Sequence, residues 1–393
     1  MQPLYDAILE ALGLTGILPA WVWYAVFILI GAVVLSAIGA LTPIIMVWAE
    51  RKVSADIQDR IGPNRVGRYG LLQTIADAVK LLTKENITPT KADSFLHLIG
   101  PILVFTGVFV PLLAVPWARG IVLANLNIGV LYMLGVASFT VVGMIMAGWA
   151  SNNKWSLLGG MRSAAQIVSY EIPNGLSILT VIVIAGTLSM NDLAEAQSGG
   201  IHRWFVFRSP FTFLAFFIYL TSSLAETSRV PFDLPEAESE LVSGYHTEYS
   251  GMRWAVFMMS EYIEMLVVNC VAVTVFLGGW NGLLPGKPLM AGWLWFLLKV
   301  AALMYVQVWL RFTLPRLRVD QLMYLGWKVL VPFGFVTMIG AAFQALMGTT
   351  GQAAMQVIAW LLFAGFVLLV LQRFRATGHV PRRLAELRQR RAT

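Results

Sequence analysis

Three carboxylates and one ammonium group stand inside stretches of sequence that are otherwise apolar. Glu171 falls two residues before Pro173, Glu261 and Glu264 are three apart, and Lys299 sits near the middle of a further apolar run. An ionisable group at membrane depth costs roughly 2.5–3.5 kcal/mol on the insertion scale, so such groups mark ion pathways or internal pairs. The spacing of Glu261 and Glu264 puts both on one helical face. A purely structural Glu–Lys pair would neutralise one acid, and three acids with one base exceed one-to-one pairing.

A second concentration of carboxylates spans 226–248, where Glu226, Asp233, Glu236, Glu238, Glu240 and Glu248 stand against the single Arg229. Carboxylates crowded into a partly buried segment repel one another and trade protons near neutral pH. Pro231, Phe232, Leu234, Pro235 and Leu241 interrupt the acids and give the segment an ordered composition. A plainly solvated acidic loop is the other reading, since most charge runs are that.

A third group follows the first long apolar run. Glu50-Arg51-Lys52 is succeeded by Asp59-Arg60 and by the turn formers Gly62-Pro63-Asn64 and Gly67. From 70 to 84 the spacing predicts an amphipathic helix at the membrane surface. Leu71, Leu72, Ile75, Ala78, Val79 and Leu82 fall on one face, and Gln73, Asp77, Lys80 and Lys84 on the other. A simple interfacial anchor has that pattern too, but the charged triplet ending an uncharged span, beside so structured a loop, favours a functional segment.

Other chemistries are excluded by what the chain lacks. Cys270 is the single cysteine, which rules out a disulfide framework, an iron–sulfur cluster or a cysteine-built zinc site. His97, His202, His246 and His379 are too scattered for a haem or copper centre. No Walker loop, dinucleotide fingerprint, HExxH or GxSxG stands in a credible context. The expectation is therefore no metal site and no catalytic residue of its own, with electron transfer left to partners.

The elements that position these groups are membrane helices. The 393 residues are 58% hydrophobic and 12% charged, against roughly 25% charged in soluble domains. At about 20 residues per crossing, nine helices are predicted near 21–48, 96–115, 128–150, 165–187, 210–226, 254–279, 291–311, 329–347 and 353–373. None shows the alternation of a β-barrel strand. No Lys or Arg precedes Trp21, so the first run is a span and not a signal peptide. Alternate loops hold 23 Lys and Arg against four in the others. This bias places the N-terminus outside and the C-terminus in the cytoplasm, which needs an odd number of spans. It also explains the net charge of +7 without a nucleic-acid partner. The basic tail, with Arg382, Arg383, Arg388, Arg390 and Arg391, lies against anionic headgroups or a partner. The fold class is all-α: a polytopic bundle of about nine spans plus one interfacial helix, in a single membrane domain.

The loop motifs carry a resemblance. Ala49-Glu50-Arg51-Lys52, Gly62-Pro63-Asn64-Arg65-Val66-Gly67 with Tyr69-Gly70-Leu71-Leu72-Gln73, and Lys80-Leu81-Leu82-Thr83-Lys84-Glu85 are long and specific. So are Ala225-Glu226-Thr227 through Glu240-Leu241-Val242-Ser243-Gly244 to Glu248-Tyr249, and Trp309-Leu310-Arg311 with Pro315-Arg316 and Asp320-Gln321-Leu322. Over roughly residues 20–345 the chain resembles the H-subunit family of bacterial NADH-quinone oxidoreductase, the counterpart of mitochondrial complex I chain 1. Many members end after eight spans, so 346–393 is an addition to which no role carries over.

The resemblance implies a subunit without a redox centre in a proton-translocating NADH:quinone oxidoreductase of the bacterial inner membrane. Quinone would be the substrate, while NADH, FMN and iron–sulfur clusters would sit on partners. Those partners are the peripheral-arm subunits of the quinone site and terminal cluster, together with small neighbouring membrane subunits. It puts Glu50, Arg51 and Arg60 near a quinone passage, with Phe232 and Asp233 beside it. Glu171, Glu226, Asp233, Glu236, Glu238, Glu240, Glu248 and Glu261 become the proton-coupling acids, and Lys299, Arg311, Arg316 and Arg318 a basic cluster. The residues agree in kind: an amphipathic quinone needs an apolar corridor beside polar groups. A helix kinked at Pro173, the interfacial helix, and Met258 and Met259 are suitable walls. Two rivals are the homologous membrane subunit of ion-pumping hydrogenases or other quinone-reducing complexes, and a stand-alone ion-coupled transporter. The transporter would show two similar halves with broken helices, and no such repeat is visible.

Overall fold

In hydrocarbon a backbone has no water to bond, and a helix closes its own hydrogen bonds, so long apolar runs become helices. The computed structural model describes residues 20–235, 241–283 and 291–347, with 356, 357, 360, 361 and 365 as isolated positions. Among the described residues the single β feature is an isolated antiparallel bridge between Ala118 and Ile121.

The first span is Ala20–Ile57. The second runs Ser94–Phe109 and tightens into a 3-10 turn, Val110–Ala114. The third is made of Gly129–Ala137 and Phe139–Ala150, joined at Ser138. The fourth is Lys154–Ala185, the fifth Pro210–Glu226, the sixth Gly251–Phe276 and the seventh Gly292–Thr313. The eighth, Val319–Leu346, contains a π-helical turn at Leu325–Leu330. Seven of these are long and apolar enough to cross a bilayer, and the fifth is a shorter apolar helix. The expected ninth span and basic tail fall outside the described residues, apart from isolated positions. Glu236, Glu238 and Glu240 also fall outside them.

Three helices are longer than hydropathy predicts, among them the eighth, which begins at Val319 and not near 329. The first continues past Trp48 to Ile57, so Glu50, Arg51 and Lys52 are helical residues and not loop residues. Hydropathy marks where apolar side chains stop, whereas a helix continues wherever its polar side chains find partners. The fourth begins at Lys154, capped by Asn153 Oδ1, which accepts from Trp155 N at 3.0 Å. Its early Gly159 lets the backbone of Gly244 approach so closely that a Cβ would clash at 2.7 Å. The helix also runs through Pro173 without interruption.

The sixth span is the axis of the bundle. Every residue from Ser260 to Phe276 is buried, the polar Glu261, Glu264 and Asn269 among them. The first, second, fifth and seventh spans pack around it, and the fourth packs on the third, fifth and eighth. By contrast, the first span leaves Leu29, Val33, Leu41 and Ile45 more than half exposed, a surface for lipid or neighbours.

The interfacial helix forms at Gln73–Thr83, preceded by a 3-10 turn at Arg68–Gly70. The side chains of Leu71, Leu72, Ile75 and Val79 point outward and are 46–52% exposed. Thr74, Asp77, Ala78 and Leu81 turn towards the bundle. The helix therefore separates an apolar exterior from a partly polar interior.

Candidate functional site

Glu50 lies near the C-terminal end of the first span, 8% exposed. An acid so buried requires partners, and three elements supply them. Arg229 Nη1 from the loop after the fifth span donates to Glu50 Oε2 at 3.2 Å. The Tyr262 hydroxyl of the sixth span donates to the same oxygen at 2.8 Å. Arg311 Nη1 of the seventh span donates to Oε1. Arg229 is shared: its Nη2 lies 3.4 Å from Glu261 Oε2, and its guanidinium carbon sits 4.2 Å from the Tyr262 ring centroid. Burial works against that guanidinium, but Tyr262, Glu50 and Glu261 outweigh it and push its pKa further up. Arg229 thus stays charged between two acids.

One face of this ionic ring opens into a cavity of about 480 Å³. Pro43, Ile44 and Val47 of the first span, Leu81 and Leu82 of the interfacial helix, and Met258 and Met259 of the sixth span give it apolar walls. Glu50, Arg51, Asp77, Tyr262 and Arg311 give it polar groups. Arg51 Nη1 donates to Asp77 Oδ2 at 2.7 Å, tying the first span to the interfacial helix. Burial pushes the Asp77 carboxyl up, but the hydrogen bond and charge of Arg51, helped by Gln73 and Lys80, hold it below its ordinary value.

On its other side the ring approaches a group of buried acids. Glu264 lies within electrostatic range of both Arg229 and Glu226, and Glu226 within range of Glu171. Asn174 Nδ2 donates to Glu226 Oε2 at 2.6 Å. Glu226 and Glu264 are 6% and 9% exposed. The sequence Glu50, Arg229, Glu261 and Glu264, Glu226, Glu171 therefore runs from the cavity into the bundle. Such an arrangement can hold protons, pass them, and respond to a charge appearing in the cavity.

The loop that carries Arg229 is fixed from both sides. Gln166 Nε2 of the fourth span donates to the carbonyls of Ala225 and Phe232 at 2.7 and 2.6 Å. Leu317 N donates to the Pro231 carbonyl at 3.0 Å. Phe232 is buried against the Tyr170 ring, so it anchors the loop and does not line the cavity. Asp233 is half-buried in the same loop.

Other expected site residues lie elsewhere. Glu248 accepts from Asn153 Nδ2 at 2.7 Å. Asn153 caps the start of the fourth span, and Asn174 beside Glu226 follows about 30 Å along that helix at 1.5 Å per residue. Lys299 is apart from the other basic residues, and among the described residues no acid pairs with it. Its Nζ donates to the carbonyls of Leu277, Gly279 and Asn281 at 2.7, 3.0 and 2.7 Å, under the Trp204 ring. It caps the end of the sixth span, as cations favour helix C-termini. Arg60 and Arg318 are exposed and Arg316 is half-buried.

The residues that sequence reasoning passed over are Arg229, Tyr262, Asp77 and Asn174. Arg229 carried a signal, being the one cation in a run of six carboxylates. Tyr262 and Asn174 carried none, because a Tyr or Asn within an apolar helix acquires meaning only from what the fold sets opposite it.

Multiple apolar crossings, an interfacial helix and a buried ionic centre beside a cavity define a polytopic all-α membrane protein. Residues 30–342 match the family model described as NADH dehydrogenase, and the chain belongs to that family. It is 52% identical to the H subunit of NADH-quinone oxidoreductase from Chlorobium luteolum over 305 residues, 75% of this chain and 82% of the relative. It is 44% identical over 361 residues to the protein of the same name from Dehalococcoides mccartyi, covering 91% of this chain and 97% of the relative. With the Geobacillus thermodenitrificans protein of that name the identity is 47% over 328 residues, 82% and 95% of the two chains.

Proposed function

We propose that this chain is the membrane component through which an NADH-quinone oxidoreductase admits quinone and starts proton transfer. The observation that carries the reading is the double position of Glu50, which lines the cavity and is also the first member of the buried acid series. A quinone has an isoprenoid tail suited to the Ile44, Leu81 and Met258 walls and carbonyls suited to Arg51, Tyr262 or Arg311.

Reduction of quinone to quinol consumes two electrons and two protons. The electrons come from partner subunits that hold the NADH site, the flavin and the iron–sulfur clusters. This chain's one cysteine is buried within the sixth span, so it has no ligand set for a cluster. Negative charge developing on the headgroup draws Arg311 and Arg51 towards it and loosens their hold on Glu50 and Asp77. Arg229, shared between Glu50 and Glu261, then shifts its balance, and the protonation of Glu264, Glu226 and Glu171 follows.

In this reading the protein lies in the bacterial cytoplasmic membrane with the N-terminus outside and the C-terminus inside, as one membrane domain. Its partners in this reading are the peripheral-arm subunits of the quinone site and terminal iron–sulfur cluster, and neighbouring small membrane subunits. Affinity purification of the full-length chain from mild detergent tests the assignment. Peripheral-arm subunits with iron–sulfur clusters should co-purify with quinone reductase activity. Recovery with hydrogenase subunits, or alone, would contradict it.

A further inference from the structure

Between the sixth and seventh spans lies a buried amide pair that the ionic ring does not use. Asn269 is 1% exposed and Gln307 4%. Asn269 Nδ2 donates to the Met265 carbonyl, one turn back on its own helix, at 2.7 Å and to Gln307 Oε1 at 2.8 Å. Both amide protons of Asn269 are thereby used. The Met265 carbonyl accepts and never donates, so turning the Asn269 amide over would set oxygen against oxygen. Gln307, in turn, must present its oxygen to Asn269. The helix backbone thus fixes an orientation that heavy-atom positions alone leave open.

What remains is Asn269 Oδ1, an acceptor, and Gln307 Nε2, a donor, both buried and without a hydrogen-bond partner. Orphaned polar atoms are rare in folded interiors because each forfeits the bond it made in water. Leucine at both positions would fill the seam with no polar atom to satisfy. An acceptor and a donor left over on two amides that touch suit a small molecule that both donates and accepts, and water is the one that enters such seams.

The location gives the pair significance. Gln307 is one turn from Arg311 on the same face of the seventh span, and Arg311 pairs with Glu50. On the sixth span Glu261, Met265 and Asn269 follow at intervals of four, forming one stripe. We propose that Asn269 and Gln307 hold an ordered internal water between the sixth and seventh spans, extending the polar network of the ring by one helical turn deeper into the bundle. The site stands on the packing of two helices and does not depend on what the cavity carries.

Hydroxyl-radical footprinting by X-ray radiolysis tests it on the intact membrane complex. Radicals arise from ordered water in place, so a side chain beside such a water is oxidised although bulk solvent does not reach it. Met265 and Cys270 flank Asn269 and are 1% and 0% exposed, and Met133 in the third span, 5% exposed, is the buried control. Met265 should be oxidised at least about threefold faster than Met133, and the Asn269→Leu, Gln307→Leu double variant should bring both Met265 and Cys270 below their wild-type rates, with Met265 at the control rate. Equal rates at Met265 and Met133 in the wild type, or undiminished oxidation in the double variant, would overturn the proposal. If the double variant does not assemble, the wild-type comparison decides, with Gln307→Leu alone as the second arm.

Discussion

Glu50 and Arg229 are 179 residues apart in the chain, and their side chains meet at 3.2 Å with 10% and 5% of their surfaces exposed. The contact joins the end of the first span to the loop after the fifth, against the sixth and seventh. A charge pair so enclosed is costly to break from one side, because the remaining charge is left in a poorly polar interior.

Arg229→Leu removes the guanidinium shared by Glu50 and Glu261 and should cost about 3–5 kcal/mol. Thermal denaturation of the purified complex, or the amount of subunit retained in membranes, should show the loss. Arg229→Lys keeps the charge but not the planar fork that reaches two acids, and should lie between. A wild-type melting temperature for Arg229→Leu would show that the ring does not hold these elements together.

The Arg51–Asp77 contact should be sensitive to acid. A carboxylate whose pKa is lowered on folding contributes stability above its unfolded value, near about 4, and loses it as pH falls through the folded value. Both side chains are partly exposed, so the contribution is no more than about 1 kcal/mol. A spin label at Val79 should report the interfacial helix loosening only below about pH 4 in the wild type. In Asp77→Asn it should be looser already at neutral pH, with no acid step. An unchanged acid step in Asp77→Asn would assign the transition to other groups.

Glu226→Gln, Glu171→Gln and Asn174→Leu should each lower proton translocation and quinone-linked electron transfer together, roughly tenfold for a group that must carry or orient a proton. Assembly should persist, since each replacement is close in size. Proton uptake by vesicles and quinone reduction are read on the same preparation. A variant that assembles and pumps at the wild-type rate removes its residue from the path.

The order of the crossings was legible in the sequence, because a span of about 20 apolar residues is a one-dimensional property. Helix ends were not, since the first helix continues through Glu50 and Arg51, where Arg229, Arg311 and Asp77 await these two side chains. Likewise, Glu261 and Glu264 were visible as acids at membrane depth, but their shared partner lies in a loop more than 30 residues earlier. The alternative of a structural Glu–Lys pair does not hold for Lys299 among the described residues, because three carbonyls at the end of the sixth span satisfy its three donors. Only the folded chain sets those carbonyls beneath it.

Orientation is tested by single cysteines in a Cys270→Ser background. Ser198→Cys, in an exposed stretch between the fourth and fifth spans, should react with a membrane-impermeant thiol reagent applied to intact cells. Asn64→Cys, exposed before the interfacial helix, should react only after permeabilisation. The inverse pattern would reverse the topology.

The most direct measurement is photolabelling of the intact complex with a short-chain photoreactive quinone, followed by mapping of the modified peptides. The cavity between the first span, the interfacial helix and the sixth span should place the label within residues 43–82 and 252–262, with protection by a competing quinone-site inhibitor. Arg51→Ala should raise the KM for quinone about tenfold, the loss of one charge-assisted hydrogen bond. Electron transfer to a soluble artificial acceptor should be unchanged. Labelling confined to the eighth span and beyond, together with an unaltered KM in Arg51→Ala, would contradict the assignment of this cavity to quinone.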